Sequence, residues 1–212
     1  MGTNVETVLN TSPVMAVLVI ERVEDAVPLA KALLAGGLTV LEVTLRTDAA
    51  LDAIRAIAAG VKGVVVGAGT VTEPHQLQAV QAAGGLFAIS PGATPALLKA
   101  GVESELPYLP AISTVSELMV AMEFGYRGFK FYPAESSGGT AALKSIAGPF
   151  PDVRFCPTGG VGPDNYLSYL ALPNVSCVGG SWVAPPGLLR DQDWAAITAL
   201  AAAAVAGAAT VR

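Results

Sequence analysis

The sequence alternates short, apolar, β-branched runs with longer segments rich in alanine and leucine, and the alternation occurs eight times in 212 residues. Apolar runs of this kind are typical of strands covered on both faces, as βαβ units produce them. Eight strand–helix units at a spacing of roughly 20–25 residues predict a closed (β/α)8 barrel, with a doubly wound open sheet as the alternative. No linker or charge block divides the chain, so we expect a single barrel domain over residues 1–212.

Each apolar run defines a predicted strand, and each alanine- or leucine-rich segment defines a predicted helix. The predicted strands are Val14–Ile20, Val40–Thr44, Val64–Gly67, Phe87–Ser90, Tyr108–Pro110, Gly128–Phe131, Arg154–Pro157 and Val175–Gly179. The predicted helices are Val23–Ala35, Asp48–Ala59, Pro74–Ala83, Thr94–Ala100, Thr114–Phe124, Gly139–Ala147, Asn165–Ala171 and Asp193–Ala209, with a short helix at Val5–Asn10 that closes the barrel floor. A side-chain oxygen at the start of a helix can cap its first turn, and we expect this of Asp48, Thr94 and Thr114.

The composition excludes several classes of function. His75 is the one histidine, so a serine–histidine triad or a histidine-rich metal site would depend on that residue alone. Cys156 and Cys177 lie in apolar runs and are expected to be reduced core thiols rather than a disulfide framework. A net charge of −5 provides no basic surface for nucleic acid. We therefore expect no metal site and no nucleic-acid partner.

The sequence also bears on compartment and assembly. Its first residues, MGTNVETVLN, lack the basic and apolar regions of a signal peptide, and no apolar stretch reaches the ~18 residues of a membrane span. We expect a cytoplasmic protein that does not contact a membrane. Only 14% of residues are charged, against about 25% in an average domain, which favours a surface partly covered in an oligomer.

Polar residues and glycines follow the predicted strands at their carboxyl ends, where barrels of this kind carry their chemistry. Lys130 lies in the strand GFKFYP. Burial disfavours an ammonium ion and favours the neutral amine, which attacks carbonyl groups. The alternative is that Lys130 points outward or pairs with a neighbouring charge.

Glu42 and Arg46 lie together in VLEVTLR. A carboxylate in an apolar strand suits proton transfer near neutral pH, or else forms a buried structural ion pair with Lys130 or Arg46. The planar guanidinium of Arg46 matches a substrate carboxylate, or else is an exposed charge at a strand end.

Glycine pairs follow the last two predicted strands, in CPTGGVGPDN and VGGSW. Backbone amides at this position in barrels bind phosphate, and glycine allows the close approach. Asp164 and Asn165, which follow the first pair, are expected to cap a helix. GAGTV resembles a dinucleotide loop but has Thr72 where the third glycine would stand, so we reject that interpretation.

These segments carry a resemblance to a known family. EVTLRT, VGAGTV, FAISPG, ISTVSELM, GFKFYPAE, GPFPDVRFCPTGGV and GGSW resemble the 2-keto-3-deoxy-6-phosphogluconate (KDPG) and 4-hydroxy-2-oxoglutarate (KHG) aldolases, over about Val14–Ala208. The resemblance implies a (β/α)8 barrel, a homotrimer, and class I chemistry without metal or external cofactor. It implies cleavage of KDPG, a phosphorylated 2-keto acid of the Entner–Doudoroff route, to pyruvate and glyceraldehyde 3-phosphate.

The resemblance also assigns residues. It places the Schiff-base lysine on Lys130 and the proton-shuttling glutamate on Glu42. It places the pyruvyl carboxylate against Arg46, helped by Thr70 and Pro91. The remaining substrate and phosphate contacts that it implies are Thr158, Gly159, Gly160, Gly180 and Ser181.

Two departures and four alternatives stand beside this assignment. Ala111 stands in PAIST where PGIST is expected, and Tyr132 stands in FKFYP where FKFFP is common; neither is expected to touch a catalytic role. The substrate alternatives are the 6-phosphogalactonate stereoisomer and unphosphorylated KHG, through the same imine chemistry. A non-catalytic phosphosugar-binding barrel would lack Lys130 or Glu42, and both are present. A metal-dependent epimerase would need histidine and aspartate ligands at strand ends, and the single histidine, His75, argues against it.

Overall fold

A computed structural model describes residues 4–211, and strands and helices alternate through this range in the predicted order. The strands are β1 (Val14–Leu18), β2 (Val40–Thr44), β3 (Val65–Gly69), β4 (Ala88–Ile89), β5 (Tyr108–Leu109), β6 (Ala111–Ile112), β7 (Gly128–Phe131), β8 (Arg154–Pro157) and β9 (Val178–Gly180). The helices are α1 (Val5–Thr11), α2 (Val23–Ala35), α3 (Ala50–Gly60), α4 (Pro74–Ala82), α5 (Pro95–Glu103), α6 (Val115–Glu123), α7 (Gly139–Ala147), α8 (Tyr166–Leu170), α9 (Pro186–Arg190) and α10 (Trp194–Ala208). Residues 1–3 and 212 of the predicted domain lie outside the described residues.

The strands form a closed parallel ring. β1 pairs with β2 on one side and with β9 on the other, and the pairing continues from β2 through β3 and β4 to β5. A second run joins β6, β7 and β8, and isolated pairings of Phe155 with Val175 and Thr158 with Gly179 join β8 to β9. The predicted (β/α)8 barrel is thus confirmed, and the open-sheet alternative is wrong.

The fifth barrel strand is split at Pro110. We predicted one strand over Tyr108–Pro110, but the structure has two strands of two residues, β5 and β6, on either side of the proline. Proline has no amide hydrogen to donate to the ladder, so regular pairing stops there. The Pro110 carbonyl still accepts from the Lys130 amide at 2.9 Å, which ties the two halves of the sheet together beside Lys130.

Apolar side chains fill the lower barrel. One buried cluster contains Met15, Phe87, Ile89 and Leu109 with the two cysteines, and Val8 and Leu9 of α1 join it. Helix α1 therefore closes the barrel floor, as predicted. A larger apolar cluster lies between the strands and the surrounding helices. Because the floor is filled, the open end for polar chemistry is the carboxyl end of the strands.

Most element boundaries differ from the prediction by one to three residues. β1 ends at Leu18 instead of Ile20, β4 is two residues long, and β9 begins at Val178 instead of Val175. β3 continues through Gly69, beyond the predicted end at Gly67. Thr94 and Thr114 cap α5 and α6 through bonds to Leu97 N and Glu117 N, which confirms both predicted caps.

Helices α3 and α9 differ from the prediction in more than their boundaries. The prediction that Asp48 caps α3 is wrong, because a turn precedes α3 and Ala49 occupies the cap position without a side-chain bond. Helix α9, of five residues, was not predicted. Among residues 4–211, no helix has the length and apolar character needed to cross a membrane.

Candidate active site

Lys130 and Glu42 form a buried ion pair in the upper barrel. Lys130 Nζ donates to Glu42 Oε1 at 2.8 Å, and the two residues are 5% and 1% exposed. β7 supplies the lysine and β2 the glutamate, so the ring of strands brings together residues 88 positions apart. Lys130 does not point outward. Glu42 therefore forms the buried ion pair with Lys130 that was one of its two interpretations. The same hydrogen-bond distance also suits proton transfer between the two groups, which was the other.

The surroundings of Glu42 are shaped by a glycine. A Cβ atom at Gly69 would lie 2.1 Å from Glu42 Oε1, so only glycine leaves room for the carboxylate. The other oxygen, Oε2, is buried and accepts no hydrogen bond from the described residues. A buried acceptor without a partner is costly. This oxygen is therefore available to a hydroxyl group or water molecule entering the site.

The ring of Tyr132, one of the two departures from the family motif, lies over Lys130. Its ring centroid is 5.6 Å from Lys130 Nζ, within the range of a cation–π contact. Its Cδ2 atom lies 3.2 Å from where a Cβ of Gly159 would be. The ring thus lies between the lysine and the glycine-rich segment after β8. Ala111, the other departure, is beside Lys130 in the strand register.

Arg46 and Ser181 share a cavity at the barrel mouth. The cavity, of about 520 Å³, is lined by both residues together with Val17 and Val19 of the β1 region and Arg190 of α9. Arg46 is exposed and forms no ion pair with the described residues, although Glu21 and Asp25 line the same cavity. Lys130 and Glu42 are not among the lining residues, because they are buried deeper in the barrel.

Thr70 follows β3 and Pro91 follows β4, at the carboxyl ends of these neighbouring strands. Thr70 has φ +58°, a left-handed conformation that is strained for a β-branched residue and is found mainly at functional sites. Pro91 is exposed, and the buried Ser90 before it shares a 2.6 Å hydrogen bond with Tyr108 on the next strand. That bond fixes the point at which the Pro91 segment leaves β4.

The segment after β8 has the backbone of an anion-binding loop. Gly159 and Gly160 have φ values of +98° and +76°, in the left-handed region that favours glycine. A Cβ at Gly160 would also lie 2.6 Å from Glu135 Cγ. No carbonyl of the described chain accepts from the amides of Gly160 or Val161. Successive unpaired amides in such a turn form a concavity for anions.

Thr158 and Gly180 complete the predicted set. Thr158 is buried, and its side chain faces β9, where a Cβ at Gly179 would lie 2.2 Å from Thr158 Oγ1. Gly180 ends β9 and is packed by Trp182, whose ring leaves no space for a Cβ. The predicted residues therefore occupy one end of one barrel. In the described part of the chain, no three histidine, cysteine or carboxylate side chains form a cluster that would hold a metal ion.

A parallel barrel with a lysine–carboxylate pair at the carboxyl ends of its strands is the arrangement of a class I, imine-forming aldolase. Comparisons with known proteins agree. The family model described as "Aldolase: KDPG and KHG aldolase" matches residues 5–200. This chain is 59% identical over 204 residues to the 2-dehydro-3-deoxy-phosphogluconate aldolase of Pseudoalteromonas atlantica, covering 96% of this chain and 95% of the relative. It is 58% identical to the KHG/KDPG aldolase of Escherichia coli K12, covering 97% of each.

A solved structure gives the same result. The crystal structure of KDPG aldolase from Legionella pneumophila, with pyruvate captured at low pH as a covalent carbinolamine intermediate, superposes on this chain with a TM-score of 0.93. It is 51% identical and covers 96% of this chain and 98% of its own. The chain therefore belongs to the KDPG and KHG aldolase family, which confirms the family expected from the sequence motifs.

Proposed function

We propose that this protein is a class I aldolase that cleaves KDPG to pyruvate and glyceraldehyde 3-phosphate, with side activity on KHG. The observation that carries the proposal is the buried Lys130–Glu42 pair at 2.8 Å, at the carboxyl ends of the barrel strands. Membership of the family supports the substrate, a phosphorylated 2-keto acid, and the covalent lysine chemistry. No metal or external cofactor takes part in this chemistry.

Imine formation begins when Lys130 loses a proton and its neutral Nζ attacks the C2 ketone of the substrate. Glu42 is within hydrogen-bond distance of Nζ and receives that proton. The same carboxyl then protonates the departing hydroxyl of the carbinolamine, water leaves, and a protonated imine remains. The imine is the electron acceptor for the next step.

Carbon–carbon cleavage follows from the charge on the imine. Glu42, or a water molecule bound to its free Oε2, removes the proton from the C4 hydroxyl. The C3–C4 bonding electrons move into the imine, glyceraldehyde 3-phosphate leaves, and an enamine stays on Lys130. Protonation at C3 and hydrolysis of the imine then release pyruvate and restore the amine.

Binding groups hold the two ends of the substrate. Arg46, which has no ion-pair partner among the described residues, binds the pyruvyl carboxylate, and Thr70 and Pro91 form the wall of that subsite. Thr158, Gly159 and Gly160 after β8, with Gly180 and Ser181 after β9, bind the rest of the substrate and its phosphate. The free amides of the loop after β8 support this assignment.

The test is a steady-state assay of pyruvate release, coupled to NADH oxidation by lactate dehydrogenase. KDPG should have the highest kcat/KM, above its 6-phosphogalactonate stereoisomer and above KHG. Lys130→Met should lower the rate by at least about 10⁴-fold, because the nucleophile is removed. A wild-type protein that binds KDPG without releasing pyruvate would favour the phosphosugar-binding barrel instead.

We further propose a cytoplasmic homotrimer built from a single domain. The resemblance implies the trimer, and an exposed apolar face on α6, formed by Val115, Met119 and Val120, offers surface for subunits to cover. Light scattering should give three times the chain mass of 21.4 kDa. A mass of one chain at micromolar concentration would contradict the trimer, and two separate unfolding transitions would contradict the single domain.

A further inference from the structure

The side chain of Asn165 bridges the loop after β8. Its Oδ1 accepts from the Gly162 amide at 2.8 Å, and its Nδ2 donates to the Gly160 carbonyl at 3.0 Å. Both partners lie in the segment that carries the free amides of Gly160 and Val161. One side chain therefore fixes two peptide groups next to the anion-binding concavity.

These two bonds decide which way the loop amides point. In a trans peptide the carbonyl and the following amide point in opposite directions. Because Nδ2 holds the Gly160 carbonyl, the Val161 amide is directed away from Asn165. The Gly162 amide is occupied by Oδ1, so the available donors are the two amides that precede it, those of Gly160 and Val161.

The strand side of the loop is held separately. The Ala134 amide donates to the Thr158 carbonyl at 2.8 Å, and the Glu135 amide donates to the Gly159 carbonyl at 3.1 Å. No comparable backbone bond reaches the Gly160 carbonyl from the described residues. The Asn165 side chain is thus the anchor for the second half of the concavity.

Helix capping does not account for Asn165, although its position led us to expect it. Asn165 precedes α8, but its side chain makes no capping bond to that helix. It turns back to Gly160 and Gly162 instead. Capping alone would be satisfied equally well by serine or aspartate. Only a side chain with both a donor and an acceptor at amide length makes this bridge.

We propose that Asn165 is a positioning residue for the substrate phosphate, which acts by holding the amides of Gly160 and Val161 in register with the phosphoryl oxygens. The inference rests on the proposed function, which places the phosphate at this loop. It predicts that Asn165 matters for phosphorylated substrates and not for KHG, which carries no phosphate. The reaction itself supplies the matched pair of substrates.

The experiment compares KM for KDPG and for KHG in the wild type, Asn165→Ala and Asn165→Ser. Loss of the two bonds should raise KM for KDPG by about tenfold in both variants, with KM for KHG within about twofold of wild type. Inorganic phosphate should inhibit KDPG cleavage competitively in the wild type, with an inhibition constant about tenfold higher in the variants. Ser168→Ala is the control, since Ser168 Oγ donates to the Asn165 backbone carbonyl, at 2.7 Å, and not to its side chain, so both KM values should stay unchanged.

An equal rise of both KM values, or an unchanged KM for KDPG, would overturn the inference. Full recovery in Asn165→Ser would overturn it too, because it would make Asn165 a helix cap. If Asn165→Ala does not fold, Asn165→Ser decides, since serine is a favourable residue at the position before a helix. Failure of the proposed function looks different: the wild type would then release no pyruvate from either substrate.

Discussion

Gly69→Ala should disable the catalytic pair without removing either member of it. The added Cβ would lie 2.1 Å from Glu42 Oε1 and 2.7 Å from both Cδ and Cγ. Ordinary contact begins near 3.4 Å, so the carboxylate must retreat by more than about 1 Å. The hydrogen bond to Lys130 Nζ is 2.8 Å long, and a retreat of that size breaks it.

The size of the effect follows from that displacement. A misplacement of about 1 Å in a catalytic group lowers the rate by about 10²-fold. We therefore expect kcat for KDPG to fall about 100-fold, while KM changes little, because Arg46 and the loop amides remain in place. Overpacking should also lower the free energy of unfolding by about 1–3 kcal/mol.

The assay is steady-state pyruvate release, with urea unfolding of the same preparations. Gly128→Ala is the matched control: its Cβ would lie 2.9 Å from Val5 Cγ1 and 3.1 Å from Leu9 Cδ1, on the barrel floor. It adds one methyl group to another barrel strand, at the end away from Glu42, and should lower stability but leave kcat near wild type. A folded Gly69→Ala protein with wild-type kcat would refute the reasoning, as would an equal loss of kcat in Gly128→Ala.

Three other perturbations test different parts of the molecule. Gly101→Ala would place a Cβ atom of α5 2.2 Å from the Tyr108 ring, so the free energy of unfolding in urea should fall by about 1–2 kcal/mol. A rise in the free energy of unfolding, which helix propensity alone predicts, would contradict the packing argument. The hydrogen bond from Arg22, and to a smaller extent that from Gln192, lowers the pKa of Asp25. The ionised Asp25 therefore stabilises the fold fully above about pH 4, and this stabilisation is lost as the pH falls through the lowered pKa. Unfolding free energies of wild type and Asp25→Asn should therefore differ at pH 7 and converge towards about pH 2, and a constant difference would be contrary to this account. Dialysis against EDTA should leave kcat for KDPG unchanged, because the imine on Lys130 is the electron acceptor, and a tenfold loss restored by a metal would show otherwise.

Elements with a strong pattern could be predicted from the sequence. Helix α2 at Val23–Ala35 and strands β2 and β7 have the predicted boundaries, since long periodic or wholly apolar segments leave little choice. The misses have local causes. Pro110 interrupts a strand, the glycines of β3 resemble a turn, and α9 is too short to show a helical period.

The chemical groups of the site could be predicted, but their supporting contacts could not. Lys130 and Glu42 could be identified because a charged side chain in an apolar strand is costly to bury unless it is paired. That Gly69 makes room for Glu42 depends on the contact between β2 and β3, which no local pattern reveals. The position of the Tyr132 ring against Gly159 likewise depends on the contact between the segments after β7 and β8. The bonds of Asn165 are local, to Gly160 and Gly162, but its place before a helix is also typical of a cap, so sequence reasoning made it one.

The central claim is that Lys130 forms the covalent imine. Incubation with pyruvate and borohydride, followed by peptide mass mapping, tests it most directly, because reduction makes the imine permanent. The account predicts a single pyruvyl adduct on the peptide that contains Lys130, and none in Lys130→Met. An adduct on Lys31, Lys62, Lys99 or Lys144, or no adduct while pyruvate binds, would contradict it.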